Sequence, residues 1–210
     1  MSAEICISAN REPAFYTEVD YVPYYRSAAT LADDPAGLTC SVTIGREWAA
    51  RGRASALLGY PTFELAAENV KAGRHDALLV AGAYPEIRSF FFDPELRAVE
   101  AFVAPLPDIV LAAPHKNAAW NKSADSSKIY YHPATITLLK SISRDNLIEG
   151  EEVASNSLAC RRAMEDTGAA LAITNAICAE YYGLTVITTL SVGTPMSFVV
   201  FERPDHTPGR

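Results

Sequence analysis

Three short segments of this chain put polar residues where a helix would begin: Tyr131-His132-Pro133, Ser155-Asn156-Ser157 and Thr174-Asn175. A helix start leaves backbone N–H groups without intrahelical partners and carries the positive end of the helix dipole. It therefore holds carboxylates or phosphates without needing lysine. Ser, Asn and Thr are also the ordinary N-cap residues, so capping alone accounts for any one of these segments. Three of them on one cleft-forming scaffold point toward anion recognition. His132 suits a general acid near neutral pH, or equally an N-cap with a solvated ring. Arg46, Arg51 and Arg53 would hold a carboxylate or form a charged helix face. The stretch 193–198 presents Thr194 or Ser197 to a cleft, or is a plain turn. Tyr16, Tyr21, Tyr24 and Tyr25 read as packing.

Other chemistries are absent from the sequence. It has no G-x-S-x-G elbow, no P-loop, no G-x-G-x-x-G after a strand and no H-E-x-x-H. His75, His115, His132 and His206 lack metal-ligand spacing, so no metal is expected. A net charge of −7 on 210 residues argues against nucleic acid and acidic membranes as default partners. With 49% hydrophobic and 20% charged residues the composition is that of a globular protein. Cys6, Cys40, Cys160 and Cys178 form no C-x-x-C, and Cys6 and Cys160 sit in apolar patterns as buried thiols. The first residues show no basic-then-apolar leader, and no apolar run approaches the ~20 residues of a membrane span. A cytoplasmic protein is expected.

The elements that must position these residues are stated twice. Residues 63–73 form an amphipathic pattern ending in Gly73 and lead into the apolar run 77–80; residues 157–168 do the same and lead into 169–173. In the first copy Phe63, Ala66, Ala67 and Val70 fall at i, i+3, i+4 and i+7, which is one helix face. The pattern predicts α/β architecture in two interlocked lobes with a cleft between them. The first lobe is expected over 1–104, with 190–210 crossing back, and the second over 105–189. Strands are predicted at 4–8, 40–44, 77–81, 128–131, 185–190 and 198–202, and a crossing segment at 98–113. Helices are predicted at 46–58, 62–72, from Pro133, from 157, and at 175–182. Proline suits the first helical position, and Thr135, Leu138, Leu139 and Ile142 give that helix its buried face.

At these segments the chain resembles the prephenate dehydratase superfamily. Ile129-Tyr130-Tyr131-His132-Pro133 is similar to the family's Y-S-H-P element, and Ser155-Asn156-Ser157-Leu158-Ala159 to its S-T-A-x-A-A element. Ala172-Ile173 through Ala179-Glu180-Tyr181-Tyr182-Gly183-Leu184 is similar to its A-A-I-A…Y-G-L stretch. The likeness runs in order through residues 61–203 and implies a fold like that of type II periplasmic binding proteins. Two departures matter. The family's Thr-Arg-Phe, whose Thr helps the ring hydroxyl leave and whose Arg grips a carboxylate, is replaced here by Met196-Ser197-Phe198. Its E-N-S loop is replaced by Ala83-Tyr84-Pro85. Both replacements resemble the prephenate decarboxylases of the bacilysin pathway, as do Asp93-Pro94, Ala172-Ile173-Thr174-Asn175 and Pro195-Met196-Ser197. The family's G-P-x-G-T element is not recognisable; Ala9-Asn10-Arg11-Glu12-Pro13 stands in its expected place.

The resemblance implies a cofactor-free carbon–carbon lyase: a non-aromatising decarboxylase of prephenate or a related cyclohexadienyl acid in specialised, antibiotic-type biosynthesis. It assigns Ser155, Asn156 and Ser157 to anion binding, and His132 and Tyr84 to orientation or proton delivery. Ser197 becomes a lining donor, Arg11 a further carboxylate ligand, and Met196 and Phe198 an apolar wall. A small carboxylate is the expected partner, with a homodimer left open. A lyase or isomerase on another cyclic acid, and a small-anion binding module without turnover, stay open beside it.

Overall fold

The computed structural model describes residues 24–33, 38–115, 128–142 and 149–205. The strand expected at 4–8, with Cys6, Arg11, Tyr16 and Tyr21, lies outside them, as do most of the loop 115–127 and His206. The first part of the chain runs β1 (Ala28–Leu31), α1 (Cys40–Trp48), a π turn (Ala49–Arg53), β2 (Leu57–Tyr60), α2 (Phe63–Lys71), β3 (Ala77–Ala81), α3 (Ile87–Phe91) and β4 (Arg97–Pro105). The second runs β5 (Ile109–Ala113), β6 (Lys128–Tyr131), a 3-10 turn (Pro133–Thr135), α4 (Ile136–Ile142), β7 (Glu149–Glu152), α5 (Asn156–Glu165), β8 (Ala170–Asn175), α6 (Ala176–Tyr181) and β9 (Thr185–Ser191). β10 (Pro195–Glu202) then returns to the first sheet.

Two five-stranded sheets result, ordered β2-β1-β3-β10-β4 and β7-β6-β8-β5-β9. Each has three parallel strands from strand–helix–strand units and one antiparallel strand inserted beside them: β10 against β3 and β4, β5 against β8 and β9. Parallel strands covered on both faces read as continuous apolar runs, and β3 and β8 are buried almost throughout. Alternation then sorts the core. Leu78, Val80 and Phe201 pack on one face of the first sheet with Phe63 and Phe90; Leu79, Phe198 and Val200 pack on the other with Ile44 and Trp48. In the second sheet Ala112 and Ala172 meet Ala159, Cys160 and Ala163, while Leu111, Leu171 and Ile173 meet Ile129 and Leu139. Among the described residues no helix is long and apolar enough to cross a membrane.

The helix at 63–71 forms as its pattern predicts. Thr62 accepts the Leu65 N–H at 3.1 Å, Phe63, Ala66, Ala67 and Val70 are buried, and Gly73 ends the run at φ +73°. Residues 40–44 differ from expectation, being helix and not strand. Thr39 caps α1 by accepting from Val42 N at 3.1 Å, and its hydroxyl donates to the Leu31 carbonyl at 2.8 Å. With Val42, Ile44, Gly45 and Trp48 buried, packing and capping override the β preference of Val42-Thr43-Ile44. The helix expected at 46–58 stops at Trp48. The π turn that follows reaches φ +82° at Gly52, and the chain then enters β2. The segment 28–31, which carries no strand expectation, forms β1 between β2 and β3.

Candidate functional site

Ligands of open α/β sheets bind beyond the carboxyl ends of the parallel strands, where helices begin. Here those ends carry N-caps in both lobes. Thr39 follows β1 and Thr62 follows β2; His132, Ser155 and Asn175 follow β6, β7 and β8. A cavity of about 610 Å³ lies between two of these starts, that of α1 and that of α5. The first lobe contributes Asp33, Thr39 and Arg46 to its wall, and the second contributes Ser155, Leu158 and Arg161. Leu31, Val42, Leu57 and Pro61 supply apolar surface between them. Helix geometry explains the selection: 39, 42 and 46 share one face of α1, and 155 and 158 share one face of α5.

Each polar group has a defined state. Ser155 Oγ accepts from Leu158 N at 3.1 Å, which leaves its own proton free for an acceptor in the cavity. The Thr39 proton is already given to the Leu31 carbonyl. Asp33 Oδ1 accepts from Leu38 N at 3.1 Å, whereas Asp33 Oδ2 and Arg161 Nε are buried with no hydrogen-bond partner among the described residues. The Asn156 Oδ1 likewise has no partner among the described residues. Beneath the cavity the lobes are tied together. Asn175 Nδ2 donates to the Leu38 carbonyl at 3.0 Å, and Asn175 Oδ1 accepts from Cys178 N at 2.7 Å. Burial pushes the Cys160 thiol up to about 12, that of Cys178 up to about 11, and that of Cys40 upward too. These thiols stay protonated at neutral pH and are poor nucleophiles.

Of the sequence-predicted residues that are described, Ser155 lines this cavity. Asn156 begins α5 beside it, and its carbonyl accepts from Thr174 Oγ1 at 3.2 Å. Ser157 is fully buried with its hydroxyl 3.7 Å from Cys178 Sγ, so it packs α5 against α6 and offers no surface to a ligand. Phe198 is likewise fully buried, stacked on Phe102 at 5.6 Å, and Met196 packs against the same cluster. Ser197 is exposed, and its carbonyl accepts from Gly82 N at 2.7 Å. The approach leaves no room for a side chain at Gly82, whose Cβ would stand 2.0 Å from Ser197 Oγ. Tyr84 packs between Phe63 and Phe90, with ring centroids at 4.8 and 6.2 Å, and its hydroxyl donates to Glu64. Burial and that carboxylate push the phenol up to about 12.

His132 caps the turn that opens α4: its Nδ1 accepts from Ala134 N at 3.2 Å. Burial pushes the ring below its ordinary value of 6.5, against the pull of Glu152. The neutral ring with Nδ1 accepting carries its proton on Nε2. Among the described residues no group of three or more His, Cys, Asp or Glu converges as a metal site would.

Sequence reasoning missed Asp33, Thr39 and Arg161 altogether, and it read Arg46 within a charged cluster. Thr39 was findable as a cap three residues before the apolar Val42 and five before Ile44, and Arg161 by its three-residue spacing from Leu158.

No protein-family model matches the chain. It is 30% identical over 155 residues to the prephenate decarboxylase of Bacillus subtilis (strain 168), covering 74% of each chain. To that of Bacillus amyloliquefaciens it is 28% identical over 153 residues, 73% of this chain and 74% of the relative. Among solved structures, a prephenate dehydratase from Arthrobacter aurescens, determined in complex with L-Phe, superposes with a TM-score of 0.63 at 19% identity. The match covers 88% of this chain and 62% of that one, so the chain spans under two thirds of the dehydratase. A periplasmic substrate-binding protein of an ABC transporter from Coxiella burnetii matches at a TM-score of 0.53 and 14% identity, over 85% of both chains. These structures share its fold of two α/β lobes, and by its sequence the chain belongs to the prephenate decarboxylase family.

Proposed function

We propose that this protein removes CO₂ from prephenate, or from a close cyclohexadienyl carboxylate, without aromatising the ring. The observation that carries the reading is the cavity of about 610 Å³ at the carboxyl ends of both sheets, with the start of α5 in its wall. Its size suits a single small-molecule ligand. The activity for which the Bacillus relatives are named supports the choice of substrate.

The chemistry agrees with the residues. When the bond from the ring carbon to its carboxylate breaks, CO₂ leaves and the electron pair passes into the ring. Aromatisation follows only if the hydroxyl opposite departs as water, which needs an acid. Otherwise the pair moves through the adjacent double bond, and one proton is taken up at its far carbon. The balance is substrate plus one proton giving product plus CO₂, and it calls for no cofactor. Two features disfavour hydroxyl loss. Met196-Ser197 replaces the dehydratase Thr-Arg, and Thr39 in the cavity wall has already given its proton to the Leu31 carbonyl. The apolar wall of Leu31, Val42 and Leu57 favours decarboxylation by keeping water from the ring into which the electron pair passes. The proton is supplied by solvent: the Tyr84 hydroxyl is committed to Glu64, and the neutral His132 ring, whose Nε2–H is too weak an acid to be given up, serves as a hydrogen-bond donor for orientation.

A non-aromatic keto acid is the wrong product for making an aromatic amino acid, which supports a place in specialised, antibiotic-type biosynthesis. Cys40, Cys160 and Cys178, unbridged among the described residues, support a cytoplasmic setting. The test is to incubate the purified protein with prephenate and follow CO₂ release and product by mass spectrometry and NMR. A non-aromatic keto acid is expected. Enzyme-dependent phenylpyruvate, or binding with no product, overturns the reading.

A further inference from the structure

Two guanidinium groups reach the cavity from opposite lobes, Arg46 on α1 and Arg161 on α5. Among the described residues neither has a carboxylate within ion-pair distance, while Arg53 pairs with Glu100, Arg97 with Glu202 and Arg203 with Asp205. Arg161 is half-buried, and its Nε is shielded from water with no acceptor among the described residues. A buried cationic donor left unpaired is costly unless something supplies the acceptor. Asp33 is the carboxylate among the described lining residues, so the wall sets two positive charges against one negative in a chain of net charge −7. Between the arginines the surface is apolar, formed by Val42, Leu57 and Leu158.

We propose that Arg46 and Arg161 are the substrate-holding pair of this site: each binds one carboxylate of a dicarboxylate, and the apolar body of the ligand lies against Val42, Leu57 and Leu158. The assignment rests on reading this cavity as the substrate site. A guanidinium fork matches a carboxylate in two parallel hydrogen bonds, which fixes orientation as well as charge. Because one arginine belongs to each lobe, a dianion bridges the lobes and a monoanion does not. The pair also accounts for how the chain holds a dianion after losing the arginine that dehydratases carry at the position of Ser197. Ser155, with its free hydroxyl proton at the start of α5, adds a neutral donor beside Arg161.

The test uses ligands that do not react. Calorimetry compares cis-1,4-cyclohexanedicarboxylate with cyclohexanecarboxylate on the full-length protein and on Arg46→Met, Arg161→Met, Arg46→Lys and Arg161→Lys, with circular dichroism confirming each fold. The wild type should prefer the dianion by about tenfold or more, and each Met variant should lose about tenfold in dianion affinity. The Lys variants keep the charge without the fork and should fall between, which also covers the case of a Met variant that does not fold. A dianion preference retained in the variants overturns the proposal, as does a wild type that binds neither probe. Decarboxylation with unaffected variants overturns the pair alone; an arginine-dependent dianion preference with no turnover overturns the reaction alone.

Discussion

In the first lobe the sheet is covered by aromatic rings. Phe63 on α2 and Phe90 on α3 pack with Phe201, and Phe91 meets Phe201 edge-on at 5.0 Å. In the second, α5 lies on the sheet through Ala159, Cys160 and Ala163 against Ala112, Ala170 and Ala172. Ion pairs between separate segments occur in both lobes: Arg53 with Glu100, Lys71 with Asp93 and Arg97 with Glu202 in the first, and Lys128 with Glu151 in the second. Large rings fill volume and dominate stability, whereas small residues let a helix approach closely and fix its position. The contrast teaches that one lobe is a thick supporting wall and the other sets the placement of a helix start, that of α5 with Ser155 and Arg161.

The strongest way to probe that contrast is Phe201→Ala. Deleting a fully buried ring from the first lobe should cost about 3–5 kcal/mol in denaturant unfolding, with the dianion affinity of the folded protein nearly unchanged. Ala159→Leu is the counterpart in the second lobe. Overfilling a fully buried position under α5 should cost about 1–3 kcal/mol, and it should lower dianion affinity because the helix start moves with its packing. An affinity loss in the first variant and none in the second would reverse the assigned roles of the lobes.

The same contrast governs what the sequence makes legible. β3, β6, α2, α5 and α6 are readable because local signals agree: a cap, a burial period and, for α2 and α6, a glycine at the end. α1 is not readable, because Val42-Thr43-Ile44 has strand preference and the decision rests on Thr39, whose hydroxyl spans from Leu31 to Val42. The candidate site divides along that line. Its second-lobe start at Ser155 is visible as a cap. Its first-lobe half, Asp33, Thr39 and Arg46, lies in or beside the segment whose pattern is hardest to read. That Arg46 and Arg161 face one cavity is a matter of tertiary convergence between positions 115 residues apart in the numbering (161 − 46), for which no local spacing rule exists.

The smallest expected effect separates capping from binding, and it does so by setting one lobe against the other. Ser155 and Thr62 do the same structural work: each accepts the N–H three residues on, at 3.1 Å. Ser155 lines the cavity, and Thr62 does not. Ser155→Ala and Thr62→Ala should therefore each cost about 1 kcal/mol of stability, and Ser155→Gly only a few tenths, because glycine is itself a tolerated N-cap. Dianion affinity should follow a different order. Both Ser155 variants should lose a few-fold for the missing hydroxyl donor, and Thr62→Ala should lose nothing. Calorimetry beside denaturant unfolding reads both scales on the same preparations. If Ser155→Gly keeps full affinity, the start of α5 acts through its backbone N–H groups and dipole, and the hydroxyl is only a cap. If Thr62→Ala weakens binding as much as Ser155→Ala, affinity follows helix stability in either lobe, and the distinction between supporting wall and placed helix start fails.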